Sequence, residues 1–148
     1  TEAYAGAQTS SSNVLFGAYD LKGTLRSSDE WIGKQPAVVN FWGTWCPPCR
    51  REIPDLVRLY DEYRSKGVEI IGLAVKDTPA KVTRFSQQMG MDWIMLMGTK
   101  DHLQRYQTSS VPTTIFYDRE GNEVARLVGA RNYEQFKEAF ELITSASG

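Results

Sequence analysis

Cys46 and Cys49 are the only two cysteines of the 148-residue chain, and they flank Pro47 and Pro48 in Trp45-Cys46-Pro47-Pro48-Cys49. Two thiols at this spacing can close into a small disulfide ring and reopen, moving two electrons. Four chemistries compete for such a pair. A structural zinc site needs about four ligands, and two cysteines with the lone His102 do not supply four soft ones. A structural disulfide across so short a loop contributes only about 2 kcal/mol in the chain-entropy picture, less than a long loop would. Two thiolates can bind copper(I). Redox catalysis by thiol exchange is the reading that accounts for the position of the pair as well as its spacing.

That position is the junction of an apolar run and an amphipathic segment. Ala37-Val38-Val39-Asn40-Phe41-Trp42 has the length of a strand and the continuous apolar character of one buried on both faces. Beyond the cysteines, Ile53, Leu56, Val57, Tyr60 and Tyr63 recur at helical spacing. Cys46 is therefore expected at a helix N-cap, where backbone N–H groups and the helix dipole favour a thiolate. It is expected to be the exposed nucleophile. Cys49, one turn inside, is expected to be shielded and to resolve the mixed disulfide. Proline has no N–H, so Pro47 and Pro48 leave the Cys49 N–H as the main donor to the Cys46 sulfur. A thiolate short of donors means a less stable reduced form and a more reducing couple. Glu52 lies one turn after Cys49 on the same helical face. Spacing alone favours a solvated helix carboxylate there. The alternative is a proton relay, with a pKa raised by partial burial and by the thiolate charge.

The remaining elements form a frame for this junction. Val14 to Phe16 and Leu25 read as short strands around a turn at Asp20-Leu21-Lys22-Gly23. Gly67 follows the first helix as a left-handed cap, and Val68 to Val75 is a second buried strand. Thr78-Pro79 opens a helix whose inner face is Val82, Phe85 and Met89 and which Gly90 closes. Trp93 to Met97 is a strand, with Met95 and Met97 read as core packing, and Lys100 to Tyr106 is a short helix. Thr113 to Tyr117 and Glu123 to Val128 form a hairpin through Asp118-Arg119-Glu120-Gly121. Asn132 with Gln135 makes a capping box for a last helix, packed through Phe136, Ala139, Phe140 and Ile143. Alternating strands and helices imply an α/β fold with parallel strands and helices on both faces. The cysteines then sit at the carboxyl end of a central strand, where open α/β sheets place their chemistry. His102 reads as a surface histidine, and Trp31 and Trp93 as core or rim packing.

The chain has the length of one domain. We expect a flexible tether or processing remnant over residues 1–13, a single domain over 14–144 and a flexible tail over 145–148. A net charge of −1 argues against a nucleic-acid or polybasic membrane surface. No apolar run approaches the ~20 residues of a spanning helix. The chain begins at Thr1 without a methionine, which leaves an export segment or a membrane tether as an expectation upstream.

The run from Asn40 to Pro54, Asn-Phe-Trp-Gly-Thr-Trp-Cys-Pro-Pro-Cys-Arg-Arg-Glu-Ile-Pro, resembles the active-site stretch of thioredoxin-fold proteins. More narrowly it is similar to the extracytoplasmic TlpA/ResA/CcmG-like thiol-disulfide oxidoreductases, and Val111-Pro112-Thr113-Thr114 and the closing hairpin extend the likeness. The resemblance implies a thioredoxin fold: a central mixed β-sheet flanked by helices, a short N-terminal β-hairpin, and a helix-strand insertion over Asp77 to Gly98. Thioredoxins usually carry a buried aspartate where this chain has Asn40, whereas the extracytoplasmic group carries a glutamate at the Glu52 position. The resemblance thus favours Glu52 as a proton relay beside Cys46 and Cys49. It implies a cis Pro112 facing the cysteines. Val111 would offer backbone groups to an extended substrate segment, with Trp45, Pro47 and Pro48 lining the same groove. It further implies an extracytoplasmic, periplasmic setting, no cofactor beyond the redox-active cysteine pair, a protein disulfide as substrate, and a membrane thiol-electron transporter as donor. Reduction of apocytochrome c cysteines is one use within the group. The rival expectations are a general thioredoxin, a disulfide-forming oxidase and, from another class, a copper(I) relay. A peroxidase fits less well, because the spacing in Thr44-Trp45-Cys46 departs from the peroxiredoxin pattern.

Overall fold

The computed structural model describes residues 15–145. The tether expected over 1–13, the domain start at Val14 and the last three residues of the expected tail lie outside this range. Among the described residues, strands β1 (Gly17–Asp20), β2 (Leu25–Ser27), β3 (Ala37–Trp42), β4 (Glu69–Ala74), β5 (Ile94–Met97), β6 (Thr113–Tyr117) and β7 (Glu123–Val128) form one mixed sheet. The helices are α1 (Pro47–Tyr63), α2 (Pro79–Met89), α3 (Lys100–Arg105) and α4 (Tyr133–Thr144). The strand order is β2-β1-β5-β4-β3-β6-β7, so β3 lies inside the sheet. It runs parallel to β4 and antiparallel to β6. Every residue of β3 is buried, as its apolar sequence requires.

Alternation along β3 divides the core. Val38 and Trp42 pack with Ile53, Leu56, Phe136 and Phe140, on the face that carries α1, α2 and α4. Val39 and Phe41 face Phe16, Trp31, Ile32 and Tyr106 on the other side. Ile53, Leu56 and Leu59 of α1 are fully buried, and burying each contributes about 1.5–3 kcal/mol. That packing holds α1 unbroken across Pro54, which lacks the N–H for one helical hydrogen bond. The expected caps are present. The Thr78 hydroxyl accepts from the Lys81 N–H, and Gly90 is left-handed with φ +71°. The Asn132 side chain accepts from Gln135 N–H while the Gln135 side-chain carbonyl accepts from Asn132 N–H. Helix α2 and strand β5 are the expected insertion. Strand β5 pairs parallel with β4 and antiparallel with β1, and so fastens the N-terminal hairpin to the sheet.

Two expectations need correction here. The first strand covers Gly17–Asp20 rather than Val14 to Phe16. The Asp20 carboxylate accepts from the N–H groups of Lys22 and Thr24, which sets the turn and pairs the residues flanking it, Gly17 to Tyr19, with β2. Phe16, just before the strand, is buried. Secondly, His102 is not a surface residue but is 7 % exposed. Its Nδ1 accepts from the Thr99 N–H at 2.9 Å, and its Nε2 lies 2.9 Å from the Gly17 carbonyl, joining α3 to β1. Helical periodicity over six residues could not reveal a partner 85 positions away.

Candidate active site

Strand β3 delivers the chain to the site, and helix α1 leaves from it. Cys46 occupies the N-cap of α1 with extended backbone (φ −99°, ψ 107°), and its sulfur accepts from the Cys49 N–H at 3.3 Å. Among the described residues this is the only hydrogen-bond donor to that sulfur, as the two prolines dictate. Cys46 and Cys49 are joined in a disulfide, with Cα atoms 5.3 Å apart.

The loop leading into Cys46 is clamped from the β4–α2 connection. The Asp77 carboxylate accepts from the Thr44 N–H at 2.7 Å and from the Thr44 hydroxyl at 3.0 Å. The Trp45 indole N–H donates to the Val75 carbonyl at 2.9 Å. The indole lies so close over Gly43 that a Cβ there would overlap it, so only glycine fits at 43. These contacts leave Trp45 half-exposed beside the disulfide. The Val111–Pro112 bond is cis, as the resemblance implied. The Val111 carbonyl oxygen lies 3.9 Å from Cys46 Sγ. Val111 is half-buried and Pro112 buried, and the Pro112 carbonyl already accepts from the Gly129 N–H.

Beneath the disulfide, Glu52 is 2 % exposed. Its carboxylate accepts from the Arg131 backbone N–H at 3.3 Å and from the Asn40 amide at 3.5 Å. The same Asn40 nitrogen donates to the Thr114 hydroxyl at 3.0 Å. Burial pushes the Glu52 pKa up to about 7, against the two N–H donors that favour the charged form. The reading of Glu52 as a solvated carboxylate is thereby excluded. Asn40 Oδ1 and Arg131 Nε are buried without partners.

Cys46, expected to be exposed, is only 3 % exposed in this disulfide form, against 0 % for Cys49. Both cysteines are buried, and the Val111 carbonyl lies against the first sulfur. Pro47 is exposed and Pro48 half-buried. The structure thus gathers Trp45, Cys46, Pro47, Pro48, Cys49 and Val111 around one end of β3 and sets Glu52 on the inner face of α1. Sequence reasoning missed Asp77, Asn40 as a partner of the carboxylate, and the Arg131 N–H. Asn40 had a legible signal, a polar residue inside an otherwise apolar strand. Asp77 and Arg131 had none, because their contacts span 33 and 79 positions.

A family profile described as the AhpC/TSA family matches residues 14–141. The chain belongs to the AhpC/TSA family. It is 35% identical over 127 residues to the thiol-disulfide oxidoreductase ResA of a Bacillus cereus strain, a match that covers 84% of this chain and 72% of that protein. Against ResA of Halalkalibacterium halodurans the identity is 35% over 131 residues, with 88% and 74% covered. Among solved structures, a thioredoxin-family thiol:disulfide interchange protein from Chlorobium tepidum TLS superimposes with a TM-score of 0.77 at 29% identity, covering 88% of this chain and 93% of that one. The resemblance drawn from the cysteine motif therefore holds, the fold is the thioredoxin fold, and the chain is an enzyme of the thiol-disulfide oxidoreductase class.

Proposed function

We propose that this oxidoreductase works outside the cytoplasmic membrane as a reductase of disulfides in exported proteins. The observation that carries the direction of electron flow is the scarcity of donors at Cys46, whose sulfur receives only the Cys49 N–H among the described residues. A thiolate held by one backbone donor is stabilised less than one ringed by several, and the dithiol form gives up electrons the more readily.

In the reducing cycle the Cys46 thiolate attacks one sulfur of the substrate disulfide. A Cys46–substrate disulfide forms and the other substrate sulfur leaves as a thiolate. Cys49 then loses its proton and attacks the Cys46 sulfur. The Cys46–Cys49 bond closes, and the substrate departs as a dithiol carrying two more electrons. Glu52 supports the second step. A carboxyl with a pKa near 7 accepts the Cys49 proton at neutral pH and returns it when the pair is reduced again. Asn40 suits both protonation states. Its amide nitrogen donates to the carboxylate, and its unpartnered oxygen can accept from the protonated carboxyl after the amide rotates. An extended substrate segment lies along Val111, whose carbonyl borders Cys46, with Trp45 as the opposite wall.

The electrons come from a dithiol donor, a membrane thiol-electron transporter, and apocytochrome c cysteines are one fitting substrate. Among the described residues no helix is long and apolar enough to cross a membrane. The test is twofold. Equilibration against a dithiol of known potential should place the couple near ~−270 mV, and a value near ~−120 mV would identify an oxidase instead. Cys49→Ser, which removes the resolving sulfur, should accumulate a mixed disulfide on Cys46 with exported CxxC-bearing proteins; failure to form that adduct removes the proposal.

A further inference from the structure

A groove of about 460 Å³ opens beside the disulfide, between the start of α1 and the side of α2, lined by Pro47, Arg50, Arg51, Phe85 and Met89. Val111 takes no part in its walls, and no step of the cycle above uses it. Its floor is apolar and fixed: the Phe85 ring packs against Trp42 with centroids 5.7 Å apart, and Met89 is half-buried. Its rim is cationic. The Arg50 guanidinium lies over Phe85, 5.8 Å from the ring centroid. Both arginines are exposed. Arg26, Arg58 and Arg126 each have a carboxylate partner, whereas among the described residues Arg50 and Arg51 have none. Helix α2 adds Lys81 and Arg84, both exposed, and carries no acidic residue. In a chain with a net charge of −1, these cations are concentrated on one side of the redox pair.

We propose that this groove is a docking subsite for an acidic stretch of the disulfide-bearing partner, with an apolar side chain seated on Phe85 and Met89 and a carboxylate between Arg50 and Arg51. The proposal rests on the reading of the chain as a reductase of protein disulfides. Pro47 links the two sites: a partner chain bonded to Cys46 reaches the groove within a few residues. Unpaired guanidinium groups at the rim attract a carboxylate without first having to release an internal one. The exposed rim sets encounter and choice of partner, and the apolar floor sets register.

The test uses the reduced protein and four cyclic peptides closed by a CxxC disulfide. Three carry one leucine and differ only in flanking aspartate, serine or lysine pairs; the fourth has serine in place of leucine beside the aspartates. Rates of disulfide reduction are read by acid quench and thiol alkylation. The aspartate peptide should react roughly five- to tenfold faster than the lysine peptide at low salt, and the ratio should approach one at about 0.5 M salt. Arg50→Gln with Arg51→Gln should abolish the preference, and using the ratio of two peptides cancels any change in the thiol itself. The leucine-free peptide should be slower. Equal rates for all four peptides, a preference for lysine, or an aspartate preference that survives the double substitution overturns the docking site alone. Failure to reduce any of the peptides counts instead against the reductase reading.

Discussion

Replacing Glu52 by glutamine separates the protonation of this site from its packing. Burial raises the Glu52 pKa from 4.5 to about 7, and each unit corresponds to about 1.36 kcal/mol. The shift therefore represents about 3 kcal/mol of pH-dependent stability. The sign follows from which state holds the proton. Between pH 4.5 and 7 the folded chain keeps Glu52 protonated while the unfolded chain releases the proton, so raising the pH favours unfolding. The stabilisation is complete below the unfolded value and is lost as pH rises through the folded one. Urea denaturation of the disulfide-bonded protein from about pH 4 to about pH 9 measures this without titrating thiols. Glutamine can accept from the Arg131 N–H through its carbonyl and donate its amide to the unpartnered Asn40 oxygen once that amide rotates, so it stands in for the protonated carboxyl at every pH. The diagnostic quantity is the change with pH. Wild type should lose about 3 kcal/mol relative to Glu52→Gln across that range, with the midpoint of the change between pH 4.5 and 7. The same variant should slow disulfide closure in single-turnover reduction by roughly 10²-fold at neutral pH. A stability difference that stays flat with pH would refute the buried, proton-holding carboxyl and the relay with it.

Two further perturbations probe the loop around Cys46. Asp77→Ala removes both hydrogen bonds that hold Thr44; we expect a stability loss of about 1–3 kcal/mol in urea denaturation and slower reaction with protein disulfides. Unchanged stability and rate would show that the Trp45–Val75 contact alone fixes the loop. Pro48→His supplies an N–H donor and a cationic ring near the Cys46 sulfur, so the thiolate pKa should fall and the reduction potential rise, read by thiol alkylation against pH and by redox equilibration. If neither value moves, the count of donors does not control this couple.

The redox pair, the helix it caps and the strand before it were legible because they depend on neighbours in sequence. Cys46 caps the helix that Pro47 and Pro48 begin. The N–H inventory around its sulfur is fixed by proline chemistry. Thr78, Gly90, Asn132 and Gln135 mark helix ends through bonds that reach three or four residues. The resemblance, rather than any local pattern, placed the insertion and the cis Pro112 correctly. Local logic misplaced the first strand by a few residues, because it overlooked the Asp20 carboxylate, whose bonds to Lys22 and Thr24 set the turn and pair Gly17 to Tyr19 with β2.

Residue types and short spacings thus specified the chemistry: two sulfurs able to exchange partners, a carboxyl on the same helical face, and a frame of strands and helices that brings them to one end of a sheet. They did not specify the carboxyl's state. Glu52 holds its proton up to near neutrality because the assembled core buries it, against the pull of the Asn40 and Arg131 N–H donors, 12 and 79 positions away, which favour the charged form. The concealment of Cys46, the Asp77 clamp, the burial of His102 and the cationic groove beside Pro47 have the same origin. Each depends on groups distant in sequence meeting in space, and no local pattern of side chains encodes such a meeting.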